Sequence, residues 1–175
     1  MKVMPDILKK LSGGDRRSIG QVAKVVDAVS GQPALFETVF KAMLVADPIV
    51  RMRAADAVEK ITANQPDYLQ PYKDMLINQV AHVNQQEVRW HVAQILPRLS
   101  LNRRERQTAV EILFGYLQDK SKIVKTFSLQ ALADLAQEDG SLRPRVVEVL
   151  KEMVQNGSPA VINRGKKLLA KLSRI

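Results

Sequence analysis

Few side chains in this 175-residue chain are equipped for chemistry, and their types narrow what they could do. The chain has no cysteine, which removes disulfides, thiolate nucleophiles and cysteine-type zinc sites together. Its two imidazoles, His82 and His91, have no carboxylate at metal-ligand spacing beside them, so no metal site is expected. No phosphate-cradling glycine loop or nucleophile elbow is present, and no carboxylate pair is singled out by its spacing. The Ser12-Gly13-Gly14-Asp15 stretch reads as a turn followed by a helix cap. A catalytic centre and a cofactor are therefore not expected. What remains is the lone tryptophan, Trp90, between Arg89 and His91, together with an excess of cations.

That excess is 27 Lys plus Arg against 18 Asp plus Glu, a net charge of +9. It is unevenly placed: residues 1–87 carry 11 basic and 10 acidic side chains, whereas residues 88–175 carry 16 and 8. A basic half of this kind attracts polyanions, whether nucleic acid, an anionic membrane surface or an acidic protein. No apolar run approaches the length of a membrane span, and the N-terminal MKVMPDILKKL lacks a secretory leader pattern, so a cytoplasmic location is expected.

The elements that must carry these residues are helices. Leu35, Phe36, Val39, Phe40, Met43 and Leu44 recur at intervals of three and four, as do Leu69, Tyr72, Leu76 and Val80, and no sustained apolar and polar alternation marks a strand. Two further sets, Val110, Leu113, Phe114 and Leu117, then Val146, Val147, Leu150 and Val154, keep the same spacing.

Internal repetition organises the helices. Segments 15–29, 47–61, 85–99, 121–135 and 158–172 align at offsets of 32, 38, 36 and 37 residues. Val22, Ala54, Val92, Ser128 and Gly165 fall in one column, and Val26, Val58, Leu96, Leu132 and Leu169 in another. The start of each segment repeats helix N-terminal chemistry: Asp15, Asp47, Ser121 and Ser158 are placed to accept the free amides of a first turn, with Asn84 one place early in the third copy. Pro48 and Pro159 follow where proline fits best. Pro71 and Pro97 predict a shortened or bent helix.

Asp47, Val50, Arg51, Ala54, Ala57 and Val58 resemble the second helix of a HEAT repeat, with Val88–Arg89 and Val124–Lys125 matching more loosely. The resemblance covers essentially the whole chain. It implies an all-α, right-handed α-solenoid of about five helix pairs, an αα superhelix in one domain with approximate repeats 1–31, 32–64, 65–101, 102–138 and 139–175. The first copy has Ser18 and Ile19 at the Val-Arg pair and only a stub of a first helix, and the last has Ile162 in place of the arginine. Departures at both ends suit caps, because each terminal repeat has one neighbour.

In such a solenoid the second helices line the concave face. With Val50, Ala54, Ala57, Val58 and Ile61 buried, the outward side of that helix centres on Met52, Ala55, Asp56 and Glu59, and the equivalents of Met52 are Gly20, Trp90, Thr126 and Asn163. Arg53, Arg89, Trp90, His91, Lys125, Arg164, Lys166 and Lys167 are therefore the candidate partner-binding residues. Two readings stay open for Trp90, a partner hot spot or base-stacking platform and a core side chain packed on the next pair. Arg51, Arg89 and Lys125 also fit a structural ladder that the family pattern implies, pairing with acidic or carbonyl groups of the adjacent repeat. A second basic cluster, Arg103, Arg104 and Arg106, sits at a helix start, where positive charge is electrostatically unfavourable.

The function expected is a non-enzymatic binding scaffold for another protein. Nucleic-acid binding through the basic C-terminal half is the alternative. A third reading comes from HEAT-like alkylpurine DNA glycosylases, which Trp90 and the basic charge resemble; here Gln94 stands one turn after Trp90 where an acid would be wanted, and Asp56 is the only carboxylate on that row.

Overall fold

The computed structural model describes residues 6–15 and 18–174. Met1–Pro5, where the leader reading begins, and Arg16 and Arg17 of the first repeated segment lie outside the described residues. Every regular element among the described residues is helical, giving an all-α fold of the α-solenoid class. The residues fall into two compact units, 1–100 and 101–175.

The first unit contains α1 (Asp6–Lys9), α2 (Val22–Gly31), α3 (Phe36–Lys41), α4 (Pro48–Asn64), α5 (Lys73–Asn78) and α6 (Gln86–Ile95). The second contains α7 (Arg103–Tyr116), α8 (Lys122–Glu138), α9 (Arg143–Asn156) and α10 (Pro159–Leu172). In the first unit α4 packs between α2 and α6, and α3 covers it from a second layer. In the second, α8 and α10 pack side by side, with α7 against α8 and α9 against both.

The small-residue column explains the close stacking. Val22, Ala54, Val92, Ser128 and Gly165 are all buried, so each second helix presents a slim side chain where it meets its neighbour. In the other column Val58, Leu96 and Leu132 are buried while Val26 and Leu169 are half-buried, as befits the first and last pairs. Four rings reinforce the outer layer of the first unit. Phe40 stacks on Tyr72 at 4.8 Å and Phe36 meets Tyr68 edge-on at 5.3 Å, each pair contributing about 1 kcal/mol beyond the area it buries.

Helix starts follow the capping chemistry in part. Asp47 Oδ1 accepts from the amides of Ile49 at 2.8 Å and Val50 at 3.4 Å, and Ser121 Oγ accepts from Val124 at 3.4 Å. The other three differ. Asp15 does not stand at the start of α2, which begins only at Val22 with Gln21 at its N-cap, after Gly20 with φ of 59°. The third helix begins after Gln85, and Asn84 instead accepts from Arg89 Nη2 at 3.0 Å. Ser158 stands at the N-cap of α10 but gives no cap bond. An unexpected capping box closes α7: Asn102 Oδ1 accepts from Glu105 N at 2.9 Å and Glu105 Oε2 from Asn102 N at 2.8 Å. It places a carboxylate among Arg103, Arg104 and Arg106 and offsets the dipole penalty of that cluster.

Both internal prolines shorten their helices. α6 ends at Ile95 and a 3₁₀ turn runs through Leu96–Arg98; Pro71 lies in a 3₁₀ segment, Pro66–Tyr72, that precedes α5.

Candidate functional site

A cavity of about 310 Å³ opens in the first unit where α4, α6 and the loop before α2 meet. Ile19, Met52, Asp56, Glu87, Trp90 and His91 line it, with Ser18, Arg53 and Lys60 completing the wall. It follows the predicted outward row, since Met52 and Trp90 are its equivalent positions and Ile19 adjoins Gly20. Trp90 is half-buried and Ile19 is 60% exposed, so the cavity presents an indole and an aliphatic chain to solvent beside carboxylates.

The outward side of α4 is narrower than one-sided burial predicts. Met52 and Ala55 are buried, because a helix flanked by α2 and α6 and covered by α3 has only one sector left for water. Asp56, Glu59 and Lys60 occupy that sector, with Lys60 Nζ 2.5 Å from Asp56 Oδ2.

Arg53 is not a surface cation. It is 2% exposed, and its guanidinium donates to the carbonyls of Leu11 at 2.9 Å, Ser12 at 3.2 Å, Gly13 at 2.6 Å, Asp15 at 3.2 Å and Ser18 at 3.0 Å. These carbonyls belong to a loop with no helix or strand to satisfy them, and the five-donor fork suits them. Gly20 completes the arrangement, since a Cβ there would lie 2.9 Å from the guanidinium carbon. No surface is left on Arg53 for a partner.

The imidazole beside Trp90 is also largely inside. His91 is 9% exposed; burial pushes its pKa down to about 4, against the opposing pull of Asp56 and Glu59, so it is neutral at physiological pH. Its Nε2 lies 3.9 Å from Asp56 Oδ1, and Nδ1 is buried with no hydrogen-bond partner among the described residues. Asp56, Glu59 and His91 bring possible metal-ligand atoms within 4.8 Å of one another, a grouping that spacing along the chain could not reveal because the imidazole comes from the next repeat. The carboxylates are already engaged, Asp56 by Lys60 and Glu59 by Arg98, whose Nη1 also donates to Glu59 O at 2.6 Å and Thr62 Oγ1 at 2.9 Å. A cation entering here would have to displace both partners, and the charge is balanced without one.

The remaining cations divide by what they touch. Arg51 donates to Val45 O at 2.9 Å, Ala46 O at 3.0 Å and Gln85 Oε1 at 2.9 Å, and Arg89 to Val83 O at 3.3 Å as well as to Asn84, so both tie down the turn before their own helix. Arg164 donates to Gln130 Oε1 at 2.7 Å. Lys125 is half-buried beside a second cavity in the second unit, and Lys166 and Lys167 are exposed on α10. Trp90, His91 and Arg53 thus meet at one cavity wall, while Arg89, Lys125, Arg164, Lys166 and Lys167 do not join it. Ser18, Ile19, Lys60 and Glu87 are the contributors missed by sequence reasoning; the signal for Ile19 was an aliphatic residue in a loop where the repeat pattern wants arginine.

Comparison with known proteins agrees with this architecture. The family model for the HEAT repeat domain matches residues 8–171. A crystal structure of an engineered protein, a target of the Northeast Structural Genomics Consortium, superposes with a TM-score of 0.66 over 96% of this chain and 78% of its own, at 17% identity. That likeness concerns the fold alone. No curated protein matches the chain.

Proposed function

The chain belongs to the HEAT repeat family, and from that premise we propose that it is a non-enzymatic scaffold that binds another protein through the cavity between α4 and α6. The observation that carries this reading is the pairing of an exposed Ile19 with a half-exposed Trp90 over a recess edged by Asp56 and Glu87. Aromatic and aliphatic anchors over a concave recess, with polar groups at its edge, are the ordinary composition of an interface centre. The partner that fits presents an apolar side chain to Ile19 and Trp90.

Nucleic-acid binding through the basic C-terminal half finds less support, because several of its cations donate internally: Arg89 to a turn, Arg106 to Asp139, Arg145 to Glu111 and Arg164 to Gln130. The base-excision reading finds less support too, since Arg53, the arginine on this cavity wall, donates to loop carbonyls and is 2% exposed.

Quantitative capture of partners from the source cell's extract by the wild-type chain, by Ile19→Asp and by Trp90→Ala tests the reading. Ile19 stands in solvent, so its replacement should leave the far-UV dichroism unchanged and abolish capture. Equal capture by both variants would refute the assignment of the cavity.

A further inference from the structure

The second unit holds a cavity of different character. Its volume is about 310 Å³, and Lys120, Lys122 and Lys125 reach it from the start of α8, while Met153, Ser158 and Val161 reach it from the end of α9 and the start of α10. Glu152 stands on the wall as its one acidic side chain. Among the described residues none of the three lysine ammonium groups makes a hydrogen bond or ion pair, in contrast to neighbouring cations: Arg106 with Asp139 at 3.2 Å, Arg145 with Glu111 at 3.1 Å and Lys171 with Asp134 at 3.5 Å. Three cations with one counter-charge around a recess leave positive charge unanswered there, and a negative ligand relieves it.

Two further groups point the same way. Ser158 Oγ is buried with no hydrogen-bond partner, although it occupies the N-cap position where such a hydroxyl normally accepts from the first turn. The amides of Ala160 and Val161 consequently lack a side-chain acceptor at the positive end of a 14-residue helix. A hydroxyl in search of a partner, free amides and three ammonium groups are the components from which phosphate sites are made.

We propose that this cavity is a phosphate-recognition pocket that takes a phosphoserine or phosphothreonine side chain of a protein partner. The inference rests on the reading of the chain as a protein-binding scaffold. A nucleic-acid backbone fits less well: it needs a track of cations, whereas Arg106, Arg145 and Arg164 in this unit are paired internally and Glu152 would repel a second phosphate. Met153, half-buried on the wall, supplies apolar surface for the methylene or methyl group that carries the phosphate.

Titration of the isotope-labelled full chain, followed by amide NMR, decides the matter. The probes are a short blocked peptide containing phosphoserine, its unphosphorylated twin, inorganic phosphate, and an unrelated single-stranded oligonucleotide. The phosphopeptide should saturate and shift the amides of Lys122, Lys125, Ser158 and Ala160, while the unphosphorylated twin does not. Lys122→Ala and Lys125→Ala should each weaken the phosphopeptide about tenfold, the loss of one charge-assisted contact, with the dichroism unaltered. The Lys166→Ala, Lys167→Ala double variant, outside the cavity, should bind normally. No shift with any phosphorylated probe, binding of inorganic phosphate without the peptide, or tighter binding of the oligonucleotide through the same lysines would each overturn the proposal. Failure here with capture still lost in Ile19→Asp would leave the scaffold reading standing; failure here with capture unchanged in Ile19→Asp and Trp90→Ala would remove the two together.

Discussion

A guanidinium hidden from water is tolerated when its nitrogens find acceptors, and each nitrogen of Arg53 donates to carbonyls of the loop before α2. Arg53→Ala should therefore cost about 3 kcal/mol or more, since charged hydrogen bonds vanish and buried carbonyls are left open. Arg53→Lys should fall between, because an ammonium cannot reproduce the fork. Urea unfolding followed by circular dichroism checks both; a stable Arg53→Ala protein with impaired partner binding would return Arg53 to the surface role its position in the sequence suggested. His91 carries a pH prediction. Its folded pKa, near 4, lies below the ordinary value of 6.5, so the unfolded chain binds the extra proton in between. Stability should be intact above about pH 6.5 and decline as pH falls toward 4, by at most about 3 kcal/mol from this group. Subtracting the profile of His91→Phe, measured as unfolding midpoint against pH, isolates the effect; parallel profiles would contradict it. Neither residue's role was legible from its own position. Arg53 sits in a helix whose neighbours on both sides were unknown, and the acids near His91 lie a whole repeat away.

At the scale of elements, the sequence was more informative. Helical periodicity, the repeated small-residue column and the prolines at 71 and 97 marked out the helices, because each signal depends only on residues within a turn or two. The capping positions were legible at Asp47 and Ser121 and misleading at Asp15, Asn84 and Ser158, where nearby glycines, a competing arginine or a missing cap bond decided the outcome. Asp47→Ala and Asn102→Ala should each lower stability by about 1 kcal/mol, whereas Ser158→Ala should change it little because no cap bond is lost. Thermal unfolding of the three variants separates the cases. Gly165→Ala runs against helix propensity: alanine is the better helix former, yet its Cβ would lie 2.7 Å from Val154 Cγ2 on the packed neighbour α9. Overpacking should dominate and destabilise the second unit by about 1–3 kcal/mol, and a gain in stability would show that α9 yields freely.

Over the whole molecule, one periodicity runs through both units in the polar contacts as well as the core. Arg51 meets Gln85, Arg98 meets Glu59, Arg106 meets Asp139, Arg145 meets Glu111 and Arg164 meets Gln130, each pair separated by 33 to 39 residues, about one repeat. These five arginines therefore join consecutive helix pairs, three of them through a carboxylate. A net charge of +9 counted this positive charge but could not say which of it was already engaged. The places proposed for partners are local: a recess carrying Ile19 and Trp90 in one unit and a lysine-lined recess in the other. Salt should accordingly weaken partner binding at the Ile19 and Trp90 recess only modestly, while phosphopeptide binding at the lysines weakens steeply. No helix among the described residues is long and apolar enough to cross a membrane. The central claim, that the recess between α4 and α6 receives a protein, is tested most directly by photo-cross-linking in the source cell. A photoreactive residue replaces Ile19 in one sample and the exposed Ala34, on the outer layer, in another. A discrete protein adduct is expected from position 19, one that excess wild-type chain competes away and Trp90→Ala chain does not. No adduct from position 19, or the same adduct from both positions, would contradict it.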